Sequence, residues 1–462
     1  MTARTLNALH TRLGKRAIVV GGGVSGLSAA QALVGHFEEV IVLERDEFPS
    51  GATARPGVPQ GKQAHGLLGG ATKALEELFP GFARDLVKAG AVRINLGFEV
   101  LFEYPGLDPF PREEWNLFGY ALTRPLIELT MRRRLERQRN ITLRGGCRVQ
   151  EIVGTPDGML VTGVRIEIAD GGQEIIPADL VIDASRHGAL TLSFLNATGL
   201  HLPEETTIGV DIRYGTGLFA HSRRALGDFK AVATFPKAPE GARYGYLLPV
   251  EKNSYQLLLV GRGDDAPPTD PDAFLNYARK LSTPTIYNAM RDAKPLSKIA
   301  RYGFPESRWR HFGQLDRFPQ RLLPTGDAIC SLNPVYGQGI AVAVQEANML
   351  RRLLSTHVAK HNPLARLAQE FLAEAEALIE QPWAISAIPD FVYPQTRGQR
   401  PEDLEYRLKS QVALARIATR DPHVYRLMTE VRNLLKPLAA LDEPELARRV
   451  EAEMAEAEMA TA

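Results

Sequence analysis

The chain has 462 residues, and its 55 basic side chains nearly balance its 54 acidic ones, for a formal net charge of +1. This balance gives no indication of a nucleic acid or an anionic surface as principal partner, and a hydrophobic fraction of 44% is enough for a large core. The length allows two or three domains, or one extended domain with insertions.

Only two cysteines occur, Cys147 and Cys330. They argue against a disulfide framework and a cysteine-based zinc site, and they make a reducing cytoplasm the default location. Residues 1–16 are basic but contain no apolar core of about 7–15 residues, so we expect no secretory signal there.

Residues 16–45 predict a strand, a glycine-rich turn, a helix and a second strand. Gly21, Gly23 and Gly26 fall on the G-x-G-x-x-G spacing. That spacing allows a tight turn, close approach of backbone N–H groups to a pyrophosphate, and close packing of helix on strand. The helix start adds unpaired N–H groups and the positive end of the helix dipole. Glu44 follows Gly23 by 21 positions, where a carboxylate can accept hydrogen bonds from an adenosine ribose.

Three other interpretations of this stretch are open at this point. Residues 17–34 carry no charge, but a membrane span needs about 20 mainly apolar residues and this segment contains four glycines. The glycine cluster could arise by chance, although the strand, the helix and the acid at the expected distance argue against that. The nucleotide could also be a nicotinamide dinucleotide rather than a flavin, and the rest of the chain must decide between them.

The segment from Arg45 to Leu68 is rich in proline and glycine and carries Arg55 and His65. It is either a solvated surface loop or a segment that folds over a bound anionic cofactor. Helices are predicted next at 71–79, 82–88 and 123–139. Arg124 lies at the start of the last of these helices, which makes it the arginine that we expect to reach a ligand.

Strands are predicted at 141–144, 149–153, 161–168 and 178–184. The last one contains Asp183 near its end and is followed by a loop, which is a usual place for a ligand in a parallel sheet. Residues 209–261 alternate apolar and polar positions, which indicates an antiparallel sheet with one covered face.

Residues 322–353 form a second glycine-rich stretch. A short apolar strand is followed by Gly326-Asp327, then by a turn that contains Pro334, Gly337 and Gly339, and then by an alanine-rich helix. Glycine again frees backbone N–H groups and a helix start for a ligand. From residue 363 onward we predict helices, with apolar stripes at 367–379, 404–412 and 424–435.

Four stretches in this order resemble the flavoprotein monooxygenases of the para-hydroxybenzoate hydroxylase fold. They are GGGVSG with Glu44, Arg124 opening a helix, ADLVIDASRHG, and PTGDAICSLNPVYGQGIAVAVQEA. The resemblance covers residues 15–355. Within that family, the ARPGVPQGKQAH loop and the NPVYGQG turn resemble the branch of polyether-antibiotic epoxidases and natural-product tailoring oxygenases.

The resemblance implies an α/β fold with a Rossmann-like FAD-binding domain, an inserted antiparallel-sheet substrate domain and a helical C-terminal region. The implied boundaries are 14–80, 119–198 and 299–360 for the FAD-binding domain, 81–118 and 199–298 for the substrate-binding domain, and 361–462 for the C-terminal region.

The resemblance also carries roles to matching residues. Gly21, Gly23, Gly26 and Glu44 would hold the ADP half of FAD, and Arg124 would reach its phosphate and ribityl region. Further cofactor-binding positions would be Ser25, Arg45, Val149 and Asp183.

For the other half of FAD, Asp327 with Gly326 would bond the ribityl chain. Backbone of the second glycine-rich turn would lie against the isoalloxazine ring, at Pro334, Gly337, Gly339 and Ile340. No metal is implied.

The implied activity is monooxygenation with FAD, NAD(P)H and O2, in which a flavin C4a-hydroperoxide epoxidises or hydroxylates a largely apolar small molecule of secondary metabolism. Only one G-x-G-x-x-G occurs. NAD(P)H would therefore bind transiently, or a separate flavin reductase would supply the electrons. Candidates for proton transfer or substrate contact are His65, His187, Tyr246, Tyr336 and Asp390, each of which could equally be a structural residue.

Three rival functions stay open. A flavin halogenase of the same fold would carry a W-x-W-x-I-P run, but Trp115, Trp309 and Trp383 are far apart in the chain. An FAD-dependent reductase of isoprenoid-like double bonds is the main alternative and would work without O2. In a non-enzymatic protein, the helical C-terminal third would be a docking module and the flavin would be structural.

Overall fold

The computed structural model describes residues 12–168, 171–220 and 226–461. Most of residues 1–16, where we expect no secretory signal, lies outside these ranges. The strands, in chain order, are β1 Gly14–Val20, β2 Phe37–Leu43, β3 Ala64–Leu67, β4 Val92–Asn95, β5 Val100–Glu103, β6 Phe118–Thr123, β7 Ile141–Arg144, β8 Cys147–Gly154, β9 Val161–Ile168, β10 Gln173–Pro177, β11 Leu180–Asp183, β12 Glu205–Ala220, β13 Ala231–Thr234, β14 Tyr244–Val250, β15 Ser254–Arg262, β16 Ala300–Arg310, β17 Leu322–Pro324 and β18 Cys330–Ser331.

The helices follow the same order, and short 3-10 turns separate several of them. They are α1 Val24–Leu33, α2 Gly69–Leu78, α3 Phe82–Ala89, α4 Arg124–Leu135, α5 Ala189–Ala197, α6 Pro271–Ala278, α7 Thr285–Met290, α8 Gly339–His357, α9 Leu367–Ser386, α10 Leu404–Arg420, α11 Pro422–Arg432 and α12 Pro444–Thr461. None of the helices in the described ranges is long and apolar enough to cross a membrane.

The first sheet is parallel and has the strand order β17-β11-β1-β2-β7. The last four residues of β1 and of β2 are apolar and buried, and β11 is buried throughout, as expected for a sheet that is covered on both faces. The predicted strands at 17–20, 40–43 and 178–184 all belong to this sheet, so the predicted Rossmann-like α/β fold is confirmed. Helix α1 packs against α8 and α4 on one side of it.

The second large sheet has the order β18-β16-β12-β15-β14-β13-β5 and is antiparallel except for the pair β13 and β5. Here the prediction of one covered face is wrong for β15, which is buried at every position. Its two faces meet different cores: Leu257 and Leu259 pack with α6 and α7, whereas Leu258 and Val260 pack toward the α/β part. Alternation in one strand does not reveal that helices from a later segment cover its second face.

Strand β16 lies within residues 299–360, which we propose as part of the FAD-binding domain. Its residues 300–310 pair with β12 in the second sheet. The domain boundaries stay a proposal.

Of the apolar stripes predicted for the C-terminal helices, the one in α9 agrees with the structure and the one in α10 does not. Leu367, Phe371 and Ile379 of α9 are buried, as the stripe at 367–379 predicts. The stripe at 404–412 is wrong, because Val412 is 51% exposed and α10 is buried through residues 413–418 instead. That part of α10 packs with α11 and α12, and residues 404–412 lie largely outside this contact.

Candidate functional site

The first glycine-rich turn lies at the carboxyl edge of the parallel sheet, where β1 ends beside β11. Its three glycines meet three different constraints. Gly21 has φ +106°, and a Cβ on it would lie 2.8 Å from the Ala184 carbonyl oxygen. A Cβ on Gly26 would lie 1.8 Å from the Gly21 carbonyl oxygen, so this glycine allows helix and turn to touch. A Cβ on Gly23 meets only the Arg124 guanidinium at 3.7 Å, which leaves that side of the turn open.

Glu44 closes this turn from the end of β2. Its carboxylate accepts a hydrogen bond from the Gly22 N–H at 2.8 Å and pairs with Arg55 at 2.6 Å. Arg55 in turn pairs with Glu128 at 3.0 Å and donates to the Gly22 carbonyl at 2.9 Å. Burial disfavours the charged guanidinium, but Glu128 and Glu44 outweigh it and raise the pKa of Arg55. The segment after Arg45 therefore folds back onto the glycine-rich turn and is not a free surface loop at Arg55.

The Gly326-Asp327 turn follows β17 and lies directly beside the first turn. Gly326 has φ +63°, and a Cβ on it would lie 2.7 Å from Ser25 Oγ. The Ser25 hydroxyl donates to Thr325 Oγ1 at 3.4 Å, although 300 positions separate the two residues. The Asp327 side chain is partly exposed at this edge. Strands β1 and β17 are parallel and end at the same edge of the sheet, so the two predicted turns lie together.

Glu346 on α8 supports the Gly326-Asp327 turn from below. It is fully buried, and one carboxylate oxygen accepts from the Thr325 hydroxyl and from the Gly326 N–H, both at 2.6 Å. Burial raises its pKa to about 7 against these two hydrogen bonds. Sequence reasoning missed Glu346, although an acid seven positions into an alanine-rich helix was a signal for it.

The residues from Asn333 to Gly339, here called the NPVYGQG turn, connect β18 to α8. Pro334, Gly337 and Gly339 are exposed and Ile340 is partly exposed, so the backbone of this turn is accessible. Gly337 has φ +74°, and a Cβ on Gly339 would meet nothing within 4 Å. The Tyr246 hydroxyl donates to the Val335 carbonyl at 3.2 Å, which ties the second sheet to this turn.

A group of polar side chains lies between the turns and the second sheet. His65 bonds through Nδ1 to the Gln63 carbonyl at 2.8 Å. Exclusion of water from the ring and the nearby Arg124 charge lower the pKa of His65 to about 3, so it is neutral at physiological pH. Because a carbonyl only accepts, Nδ1 carries the proton and Nε2 presents a lone pair. Arg186 donates to the Tyr302 hydroxyl at 2.8 Å.

Sequence reasoning did not single out Tyr302. Burial raises the pKa of its hydroxyl, the Asp327 charge adds to that effect, and the charges of Arg186 and Arg124 oppose it. The observed partner of Tyr302 is Arg186. It lies on β16, whose pairing with β12 has no local signal in the sequence.

Several predicted site residues are engaged within the protein. Asp183 is fully buried and accepts from both the backbone and the side chain of Ser185 and of Thr191. Arg45 donates to the Gly57 carbonyl at 3.0 Å, and Val149 is partly buried in the three-stranded sheet β10-β9-β8. His187 is exposed, with φ +143°. Their proposed contacts to FAD or substrate stay predictions.

Asp390 lies behind the NPVYGQG turn, of which Tyr336 is a member. Asp390 is fully buried and ion-paired with Arg262, which gives it no exposed surface for direct contact with a substrate. Burial raises the pKa of the Tyr336 hydroxyl, which points toward Asp390 at 3.5 Å. Over the described ranges, no group of three histidine, cysteine or acidic side chains is arranged to hold a metal ion.

These features fit an extended dinucleotide such as FAD. The open side of Gly23 beside Arg124 and the N-terminus of α1 suits a pyrophosphate. The Gly326-Asp327 turn lies next to it, and the exposed backbone at Gly337 and Gly339 suits a flat ring system.

Comparison with known proteins agrees with this geometry. The sequence profile described as "FAD dependent oxidoreductase" matches residues 16–293. Protein Rv3254 of Mycobacterium tuberculosis (strain ATCC 25618 / H37Rv) is 30% identical over 406 residues, which is 83% of each chain.

Two solved structures share the fold at low sequence identity. The p-nitrophenol 4-monooxygenase PnpA from Pseudomonas putida DLL-E4 superposes with a TM-score of 0.65 at 16% identity, over 92% of this chain and 99% of that one. The flavin-dependent brominase Bmp2 superposes with a TM-score of 0.64 at 15% identity, over 91% and 93% of the two chains. These two enzymes differ in reaction, so the shared fold alone does not select the chemistry.

Proposed function

This chain belongs to the FAD dependent oxidoreductase family, and on that premise we propose that it is a flavin monooxygenase. Its reaction would use NAD(P)H, O2 and a largely apolar small molecule. Two electrons from NAD(P)H and one proton would be consumed, one oxygen atom would enter the substrate by epoxidation or hydroxylation, and the other would leave as water. Natural-product biosynthesis is the proposed setting, and the buried free thiols of Cys147 and Cys330 suit a reducing compartment such as the cytoplasm.

The observation that carries this proposal is the position of the NPVYGQG turn. Its exposed backbone at Gly337 and Gly339 lies between the edge of the parallel sheet and the tyrosine-bearing face of the second sheet. Bound FAD would supply the redox chemistry. A ring held between these two layers would be shielded from water, which oxygen transfer by a flavin requires and a simple electron carrier does not.

The chain's own residues would divide the binding work along the cofactor. Gly23 and Arg124 would hold the pyrophosphate, Glu44 the adenosine ribose and Asp327 the ribityl chain. The start of α8 at Gly339 would present its positive dipole end to negative charge on the reduced ring. Neutral His65 would accept a hydrogen bond at Nε2 from a group bound between the sheets.

Aromatic side chains near the turn support an apolar, partly planar substrate. Tyr104 and Phe235 stack with ring centroids 4.1 Å apart, and Phe235 meets Tyr246 edge-on at 6.1 Å. Tyr246 bonds the NPVYGQG turn directly. A substrate that lies on this aromatic surface would reach the ring without crossing bulk water.

The test combines reduction and oxygen labelling. The purified protein, loaded with FAD, is mixed with NADH or NADPH without O2, and bleaching of the flavin absorbance is followed. It is then exposed to 18O2 with a panel that contains a phenol, a polyaromatic compound and an isoprenoid alkene. The proposal expects a product that carries one 18O atom, and a separate flavin reductase is added if neither nicotinamide bleaches the flavin directly.

The same experiment separates the alternatives. Saturation of the isoprenoid alkene without O2 would identify a reductase instead, and a brominated product formed only with bromide present would identify a halogenase. If no reductant bleaches the flavin, the flavin is structural and the enzymatic proposal is wrong. The Gly23→Val variant, expected to lack flavin, is the control for product formation by contaminants.

A further inference from the structure

We propose that Asp390 is a positioning residue, which together with Arg262 fixes the NPVYGQG turn from behind and sets the charge next to the bound flavin ring. This inference rests on the proposed placement of the ring at that turn. It gives the helical C-terminal region, which contributes Asp390, a direct effect on the cofactor.

The ion pair joins two distant parts of the chain in a dry environment. Asp390 lies in the 3-10 turn Ile388–Val392 between α9 and α10, and its side chain is 0% exposed. Arg262 ends β15, is 5% exposed and donates from Nη2 to one carboxylate oxygen of Asp390. The guanidinium also donates to the Val210 carbonyl at 3.2 Å and stacks 4.0 Å from the centroid of Tyr393. Both charges are thus held in one orientation.

Asn333 connects the ion pair to the NPVYGQG turn through hydrogen bonds. Its side-chain nitrogen donates to the second carboxylate oxygen of Asp390 at 2.8 Å. Its side-chain oxygen accepts from the Tyr214 hydroxyl at 2.9 Å and from the Val335 N–H at 3.1 Å. The oxygen side of the amide therefore faces two donors, and among the described residues the Asp390 carboxylate is the acceptor on the nitrogen side. The direction of this amide, at the first residue of the turn, depends on an acceptor at position 390.

The Arg262–Asp390 pair orients its neighbours more than it adds to the free energy of unfolding. A buried ion pair contributes little compared with apolar side chains of the same volume, but removal of one partner leaves the other charge buried and unpaired. Without the Asp390 charge, Asn333 would lose its acceptor and Arg262 would leave a net positive charge behind the turn. Both changes act on the backbone that leads to Gly337 and Gly339.

The test is Asp390→Asn, read out on bound FAD without substrate or O2. In either orientation of the new amide its NH2 group faces a donor, Arg262 on one side or Asn333 on the other. We expect the Kd for FAD to rise about tenfold, the scale of one buried hydrogen-bond mismatch. The midpoint potential of the flavin should become more positive, because the reduced flavin carries more negative charge and a nearby carboxylate has been neutralised.

Asp265→Asn is the matched control. Asp265 lies just beyond β15 and pairs with Arg243 through two hydrogen bonds of 2.7 Å, and within the described residues its side chain makes no hydrogen bond to the NPVYGQG turn. That variant should lower thermal stability while the Kd for FAD and the midpoint potential stay at their wild-type values. A purely structural role for Asp390 would give the same pattern in both variants.

Wild-type FAD affinity and potential in Asp390→Asn would overturn the proposal. If that variant is insoluble, Asn333→Ala keeps the Arg262–Asp390 pair and removes its link to the turn, together with the hydrogen bonds that Asn333 accepts from Tyr214 and Val335. A rise of about tenfold in its Kd for FAD supports the proposal, and an unchanged Kd overturns it. Neither result bears on oxygen transfer, so the monooxygenase assignment can fail or stand independently of this one.

Discussion

A side chain at position 23 should affect cofactor binding without affecting the fold. Its φ of −83° and ψ of −176° are open to any residue, and a side chain there meets only the Arg124 guanidinium. We therefore expect Gly23→Val to fold normally and to lose FAD, because the new methyl groups would occupy the pyrophosphate path. Overpacking of about 3 kcal/mol would weaken FAD binding by roughly a hundredfold, so that FAD is lost during purification. The ratio of flavin to protein absorbance after purification measures this.

Gly303→Val is the control for that variant. Gly303 lies in β16, and a Cβ there meets only the flexible end of Arg213 at 2.9 Å. It should retain FAD. A Gly23→Val protein that purifies yellow and fully loaded would contradict the assignment of Gly23 to the pyrophosphate.

Glu346 gives the molecule a specific pH dependence. Its pKa is about 7 in the folded protein and 4.5 in its ordinary state, so between these values the folded state binds more protons than the unfolded state. The free energy of unfolding should therefore fall as the pH rises from about 5 to about 7, by on the order of 2 kcal/mol.

Glu346→Gln should remove this part of the dependence, because an amide oxygen can still accept from Thr325 and Gly326 but carries no charge. Relative to wild type, the variant should gain stability at pH 8 compared with pH 5. Denaturant unfolding of the two flavin-free proteins at both pH values measures the difference. Wild-type and variant curves that shift in parallel would show that Glu346 does not titrate in this range.

At the scale of elements, the close contact between the first glycine-rich turn and α1 requires that residue 26 have no side chain larger than a hydrogen atom. Gly26→Ala would place a methyl carbon 1.8 Å from the Gly21 carbonyl oxygen, which is backbone and cannot rotate away. Helix α1 would have to move off the turn, and α8 packs against α1. We expect a loss of about 3 kcal/mol or more in the free energy of unfolding. The thermal midpoint without FAD should drop in Gly26→Ala and stay near wild type in Gly23→Val.

Elements defined by local pattern were predictable, and those defined by pairing across the chain were not. The strands at 17–20 and 161–168 and the helix at Arg124 followed from apolar runs and from a proline in the first turn. The place of β16 in the second sheet did not, since it pairs with a strand about a hundred positions earlier. The helical stripe at 404–412 failed for the same reason, because α12 decides which face of α10 is buried.

At the scale of the whole molecule, the candidate site is assembled from four segments. They are the first glycine-rich turn, the start of α4 at Arg124, the Gly326-Asp327 turn and the NPVYGQG turn. The sequence predicted its backbone parts, because glycine spacing reports local conformation. Side chains that act across the chain carry no such pattern: Arg262 and Asp390 are 128 positions apart, and Arg186 and Tyr302 are 116 apart. These long-range contacts connect both sheets and the C-terminal helices to the same turns.

This assembly predicts how the whole chain responds to FAD. Because Ser25 and Thr325 touch across the two turns, one dinucleotide should restrain both turns at once. Added at about a hundred times its Kd to the flavin-free protein, FAD should raise the free energy of unfolding by about 2.7 kcal/mol. Amide hydrogen exchange should slow in peptides covering 21–26, 325–328 and 333–340, while β15, already buried, stays unchanged as the internal reference. Protection confined to residues 21–44 would mean that the ring half of FAD does not lie at the NPVYGQG turn.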